Sequence, residues 1–133
     1  MDTLQKNYQK LDGLRFLDKS NKDFKALFED PFHVLHWHGD RILLPNKAVL
    51  IASSAHCMEQ FFRIGNFAYG LQFHIETTGG MINKWIKEDK EFVFKGLGSN
   101  GQEILKAENK KYIDKTFFKR KLFINKLFEL FDN

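Results

Sequence analysis

The chain has 133 residues, 43% of them hydrophobic and 15% aromatic, with fifteen Phe and two Pro; that is enough for one apolar core and excludes a disordered or low-complexity protein. Lys and Arg number 21 against 17 Asp and Glu, the signs are interleaved to a net charge of +4, and only four of the basic residues are Arg, so no nucleic-acid-reading surface is expected. One Cys excludes an internal disulfide, no run reaches the roughly 18 apolar residues of a membrane span, and "MDTLQKNYQK" has no signal-like apolar region, which leaves a single cytoplasmic domain over 1–133 as the expectation.

Residues 13–17 (GLRFL) form a first strand candidate. Over 21–30, Phe24, Leu27 and Phe28 recur at helical spacing until Pro31 stops the helix. The stretch 32–40 (FHVLHWHGD) alternates Phe32, Val34 and His36 against His33, Leu35 and Trp37, and ends at the Gly39-Asp40 turn. A second apolar run, 48–54, precedes two aromatic-rich runs in 60–74 that are separated by Gly65-Asn66, the spacing of a two-residue hairpin. Residues 14–74 therefore read as a sheet region.

The helical region is predicted over 78–131. Met81, Ile82, Trp85 and Ile86 follow the helical period with Thr77 or Thr78 as N-cap, and the polar GLGSNGQE interrupts it. From 103 to 131 a long helix is expected, with Ile113, Phe117, Leu122, Ile124, Leu127, Phe128 and Phe131 on a wide apolar face. Its basic stretch 110–126 reads as a core-facing helix with lysines outward rather than as a membrane-surface element.

Three constellations bear chemistry. His36, His38 and Asp40 occupy alternate strand positions, and two imidazoles with a carboxylate can ligate zinc or iron, but a complete site needs a further ligand, so a polar loop bonded to backbone or to a small substrate is the competing reading. Cys57, beside His56, lacks the flanking glycines of an exposed nucleophile turn and reads as a structural thiol. His74 and Glu76 stand two residues apart at a strand end, on one face, as a general base and the carboxylate that holds its far ring nitrogen require.

The order W-H-G-D (37–40), L-P (44–45), A-S-S (52–54), Gln60-Phe61 and G-x-Q-F-H-x-E (70–76) resembles the C-terminal half of a class I glutamine amidotransferase domain, in particular stand-alone proteins similar to the amidotransferase domain of GMP synthase. The resemblance implies the C-terminal portion of a three-layer α/β domain, a mixed or largely antiparallel sheet followed by helices. It implies His74 as general base and Glu76 as its orienting carboxylate in a Cys-His-Glu triad that releases ammonia from glutamine, with His38, Asp40 and Gln60 on the substrate side and no cofactor or metal. Ile75 replaces the family's proline, and the glycine oxyanion loop and G-x-C-x-G elbow have no counterpart in the chain. Three functions follow as expectations: a half-enzyme completed by a separate N-terminal half, an inactive or binding protein of the same fold, and, last, a metal-dependent hydrolase at His36, His38 and Asp40. An orphaned strand edge would favour a homo-oligomer when the chain is alone.

Overall fold

Five strands join in the order β2-β1-β3-β4-β5, and every pairing among them is antiparallel. A computed structural model describes residues 8–18, 22–29 and 32–132, and the side chains of all of these except 8–12 and 23. The strands are β1 (Tyr8–Phe16), β2 (Phe32–His38), β3 (Ala48–Ser53), β4 (Phe61–Ile64) and β5 (Ala68–Leu71). Three helices follow: α2 (Gly79–Glu88), α3 (Lys90–Leu97) and α4 (Gly101–Phe131). Between β1 and β2, the predicted helix 21–30 is reduced to α1 (Lys22–Lys25) and one 3-10 turn (Ala26–Phe28); positions 21, 30 and 31 lie outside the described residues.

The first strand starts earlier than its apolar run, because Tyr8 to Leu14 find register partners from His38 back to Phe32. Pairing with a buried neighbour, not local composition, extends it. The β4–β5 hairpin carries three loop residues instead of two, since Ile64 pairs with Ala68. A two-residue type I′ turn needs positive φ at both central positions. Only Gly65 has it, at 64°, so Asn66 and Phe67 complete a longer loop. Across the same hairpin Phe62 pairs with Gly70 and lays its ring where a Cβ on Gly70 would stand, so any side chain there displaces the ring.

The alternation read in β2 is realised as two cores. Phe32 and Val34 enter one cluster with Leu14, Phe24, Ile51, Phe61, Phe73 and Phe123. Leu35 and Trp37 face the other, built on Ile82, Ile86, Val93, Leu105 and Ile113 from the three helices. A strand buried on both faces places apolar residues on either side, here Phe32 and Val34 on one and Leu35 and Trp37 on the other. The sheet curls until the chain beyond β5 returns to β2, where Leu35 and His74 form an isolated antiparallel bridge.

Thr78 is the N-cap of α2, its Oγ1 accepting from the Met81 N–H at 3.2 Å. The predicted helix beyond it breaks at Asp89, whose backbone leaves the helical region (φ −115°, ψ 47°) and starts α3. The face of α4 corrects the prediction. Its buried positions are Gly101, Leu105, Asn109, Ile113, Thr116, Arg120 and Phe123, in steps of three and four residues. Phe117 (61% exposed), Leu122, Phe128 and Phe131 lie outside that stripe and face solvent. The apolar residues of α4 cover more of its circumference than one side of a sheet can touch, so contact geometry chose among them. No helix among the described residues is long and apolar enough to cross a membrane.

Candidate active site

Past β5 the chain is tied down atom by atom. Gln72 N–H donates to Gln60 O (2.9 Å), Phe73 is buried in the sheet's core, and His74 N–H donates to Leu35 O (2.8 Å). With Phe73 anchored inward, the period-two alternation of an extended chain sends His74 to the opposite side. There its ring meets the edge of Trp85 at 5.3 Å between centroids, and Trp85 rests on Trp37 at 5.8 Å. His74 Nδ1 hydrogen-bonds Glu76 Oε1 at 2.7 Å, so the pair expected from sequence is brought together. The histidine side chain is 29% exposed and the glutamate 55%, so the pair lies at the surface, not in the core. Burial pushes the Glu76 carboxyl up. The hydrogen bond from His74, the backbone N–H groups of Glu76 and Ile75 and the His74 charge outweigh that and hold it below the ordinary glutamate range.

His38 lies in the electrostatic field of His74. Its Nδ1 donates to the Asp40 backbone carbonyl at 3.0 Å, which makes the main chain of Asp40, not its exposed carboxylate, the contact between them. Burial lowers the His38 pKa most, and the neighbouring His74 adds to this. The Asp40 carbonyl and carboxylate oppose it, so the ring is held neutral at pH 7. His36 is fully buried on the same face of β2, its ring 6.2 Å from that of His38. Among the described residues no group of three or more His, Cys, Asp or Glu side chains is placed to hold a metal ion. His36 and His38 thus lie on β2 and Asp40 just beyond its end, without the three being placed together as ligands.

Cys57 and Gln60 belong to a different structure, the loop between β3 and β4. Ser54 Oγ bridges this loop, bonding Cys57 O (3.1 Å) and accepting from Cys57 N–H (3.2 Å) and from Gln60 Nε2 (3.1 Å). Gln60 is fully enclosed and its amide also reaches Cys57 O, which makes it a frame for this loop. Arg41 grips Glu59 through two bonds of 2.7 and 2.8 Å, and Cys57 Sγ lies 4.0 Å from the same carboxylate. Burial, with the Glu59 charge adding to it, pushes the Cys57 thiol up, against the pull of a backbone N–H and Arg41. A thiol so placed stays protonated and inert at pH 7.

Two residues near the pair escaped the sequence reading. Trp85 was expected only as core, yet it is half-buried against the His74 ring. Arg120, hidden in a lysine-rich stretch, is 95% buried (5% exposed) and donates to the carbonyls of Ile75 and Thr77 on either side of Glu76. The one available signal was its being Arg among lysines, since a guanidinium can satisfy several carbonyls at once. Beside it an open cleft of about 360 Å³ runs between the 75–79 segment and α4, walled by Ile75, Glu76, Ile113, Phe117, Arg120 and Ile124 among others.

No protein-family model matches the chain. Among curated proteins, the glutamine amidotransferase-like protein YfeJ of Salmonella typhimurium is 33% identical over 88 residues, which is 66% of this chain and 32% of that protein. Among solved structures, a glutamine amidotransferase from Thermotoga maritima superposes with a TM-score of 0.70 at 26% identity, over 94% of this chain and 54% of that one. A glutamine amidotransferase from Methylobacillus flagellatus gives 0.68 at 18% identity over 92% and 55%, a likeness of fold. The chain thus spans about a third of the curated relative and about half of the solved ones.

Proposed function

The chain belongs to the glutamine amidotransferase-like proteins of class I fold, about half of whose solved length it spans, and on that premise we propose that it supplies the His74 and Glu76 members of a Cys-His-Glu triad that hydrolyses glutamine. The observation that carries the reading is the 2.7 Å bond between His74 Nδ1 and Glu76 Oε1. It leaves Nε2 as the ring nitrogen for proton transfer, and the depressed Glu76 carboxyl stays ionised to balance an imidazolium. The nucleophile comes from the elbow half of the domain, outside residues 1–133, because Cys57 is enclosed and held as a thiol.

In this scheme His74 takes the proton of the incoming cysteine, whose sulfur attacks the side-chain carbonyl carbon of glutamine. The proton passes to the leaving nitrogen and ammonia departs, leaving a thioester. Water, deprotonated by the same imidazole, then attacks the thioester and releases glutamate and the thiol. His38, held neutral beside His74, is a substrate-side hydrogen-bonding group, Asp40 orients it through its backbone carbonyl, and Gln60 acts from behind by shaping the loop. The GMP synthase-like kinship rests on the motif order alone and belongs to the same proposal. We place the protein in the cytoplasm on the same footing.

The test is co-purification with a polypeptide that carries the G-x-C-x-G half, followed by an ammonia assay with glutamine. Turnover that needs both chains and disappears in His74→Ala supports the reading; a complex that forms and never turns over makes the chain a binding protein of the same fold. Purified alone, the chain is expected to release no ammonia and to self-associate through strand edges that the elbow half would cover. Sedimentation equilibrium over a concentration series that shows one monomer at high micromolar concentration contradicts the second expectation.

A further inference from the structure

Arg120 is a buried cation whose hydrogen bonds all end on neutral oxygens. Its Nη1 donates to Ile75 O (3.0 Å) and Thr77 O (2.5 Å), its Nη2 to Ile113 O (3.0 Å) and its Nε to Thr116 Oγ1 (3.2 Å). Thr116 Oγ1 in turn donates to Tyr112 O (2.9 Å), which fixes the hydroxyl with its lone pairs toward Nε. One end of the guanidinium is therefore locked to α4 and the other to the carbonyls of Ile75 and Thr77, the residues on either side of Glu76. The latter lie 45 and 43 residues away in sequence.

Burying a guanidinium without a contacting carboxylate is costly, and a packed apolar side chain would dock α4 at a lower cost. Burial accordingly weakens the hold of Arg120 on its proton, with only the fields of Glu76 and Asp114 opposing. Arg120 does one thing an apolar residue cannot. Because the fork is planar and rigid, it sets the mutual orientation of the Ile75 and Thr77 carbonyls, hence the direction in which the Glu76 side chain leaves the backbone. Ile75 stands where proline, with a fixed φ, occupies the motif of the family, so the stiffness between His74 and Glu76 has to come from elsewhere.

We propose that Arg120 is a positioning residue for the His74–Glu76 pair, holding the 75–77 backbone from α4 so that the carboxylate meets Nδ1 of the imidazole. The inference deepens the triad reading and rests on it. Its measure is the coupling between the two side chains, taken as the change in the NMR resonance of the His74 Nδ1–H, the proton hydrogen-bonded to Glu76 Oε1, on going to Glu76→Gln. This needs no turnover and uses the whole chain.

The coupling is expected to be present in the parent chain, because the carboxylate contacts Nδ1 directly. In an R120K background, which keeps the charge but not the fork, it should shrink by at least half. Thr116→Val removes only the acceptor of Nε and should shrink it less, in the same direction. Asn109→Ser cuts the other anchor of α4, the bonds to Gly79 O and Asn83 Oδ1 (both 3.1 Å), and should leave it intact. Unchanged coupling in folded R120K overturns the proposal, as does a loss in Asn109→Ser equal to that in R120K, which would reduce Arg120 to generic docking. Should R120K not fold, Thr116→Val decides, and unchanged coupling there overturns it. A His74 that ignores Glu76 in the parent chain sinks the triad reading together with this inference. Absent glutaminase activity with the coupling intact sinks only the triad reading.

Discussion

Two corners of this molecule hold a carboxylate against a group capable of chemistry, and they come out opposite. At the end of the β5 segment, Glu76 meets His74 Nδ1 at the surface, and the histidine keeps its second nitrogen for other work. In the β3–β4 loop, Glu59 is clamped by both ends of the Arg41 fork and Cys57 is enclosed behind it with its thiol pushed up. Both carboxyls are held below their ordinary range, one against burial by a histidine bond and backbone N–H groups, the other chiefly by the Arg41 bonds. A low carboxylate pKa therefore does not mark a catalytic site by itself. What differs is the partner: an imidazole that can exchange a proton at neutral pH, or a guanidinium that cannot.

The largest effect that separates the corners is on turnover in the two-chain complex. His74→Ala is expected to lower ammonia release by about a thousandfold or more and Glu76→Gln by about ten- to a hundredfold, whereas Cys57→Ser should stay within about twofold. A Cys57→Ser variant as dead as His74→Ala would reverse the assignment of the two corners. Next comes thiol reactivity. Cys57, 8% exposed and raised in pKa by burial, should react with a disulfide reagent at pH 8 at least about tenfold more slowly in the native chain than in denaturant. Equal rates would show the loop open.

The smallest effect lies in the acid limb of stability. The Glu59 carboxyl is depressed below 4.5 in the folded chain, so its contribution is fully present above the unfolded value and is lost as pH falls through the folded one. Urea midpoints of the parent chain should exceed those of Glu59→Gln above about pH 5, and the gap should narrow steadily as the pH falls below that. A gap that persists unchanged to pH 3 would mean that packing, not the ion pair, distinguishes the two. Because Arg41 is partly exposed, the whole difference is expected to be modest.

Much of this was legible in the chain itself, wherever a local rule carried the structure. The period of an extended strand put His74 and Glu76 on one face, alternation over 32–37 sorted the residues that enter the two cores, and the threonine pair ahead of an apolar helix offered two cap candidates, of which Thr78 is the cap. The motif order predicted the family and the α/β fold that the comparisons bear out. Tertiary structure decided what depends on which surfaces meet. It extended β1 back to Tyr8 by pairing, added a third residue to the β4–β5 loop, and turned Phe117 and Phe128 outward while burying Thr116 and Arg120 on the same helix. A helix sequence states how apolar its faces are but not which one a curled sheet will contact. The Arg120 bonds to Ile75 and Thr77 exist only because α4 crosses the strand end at that point, a distance in space that no spacing along the chain encodes.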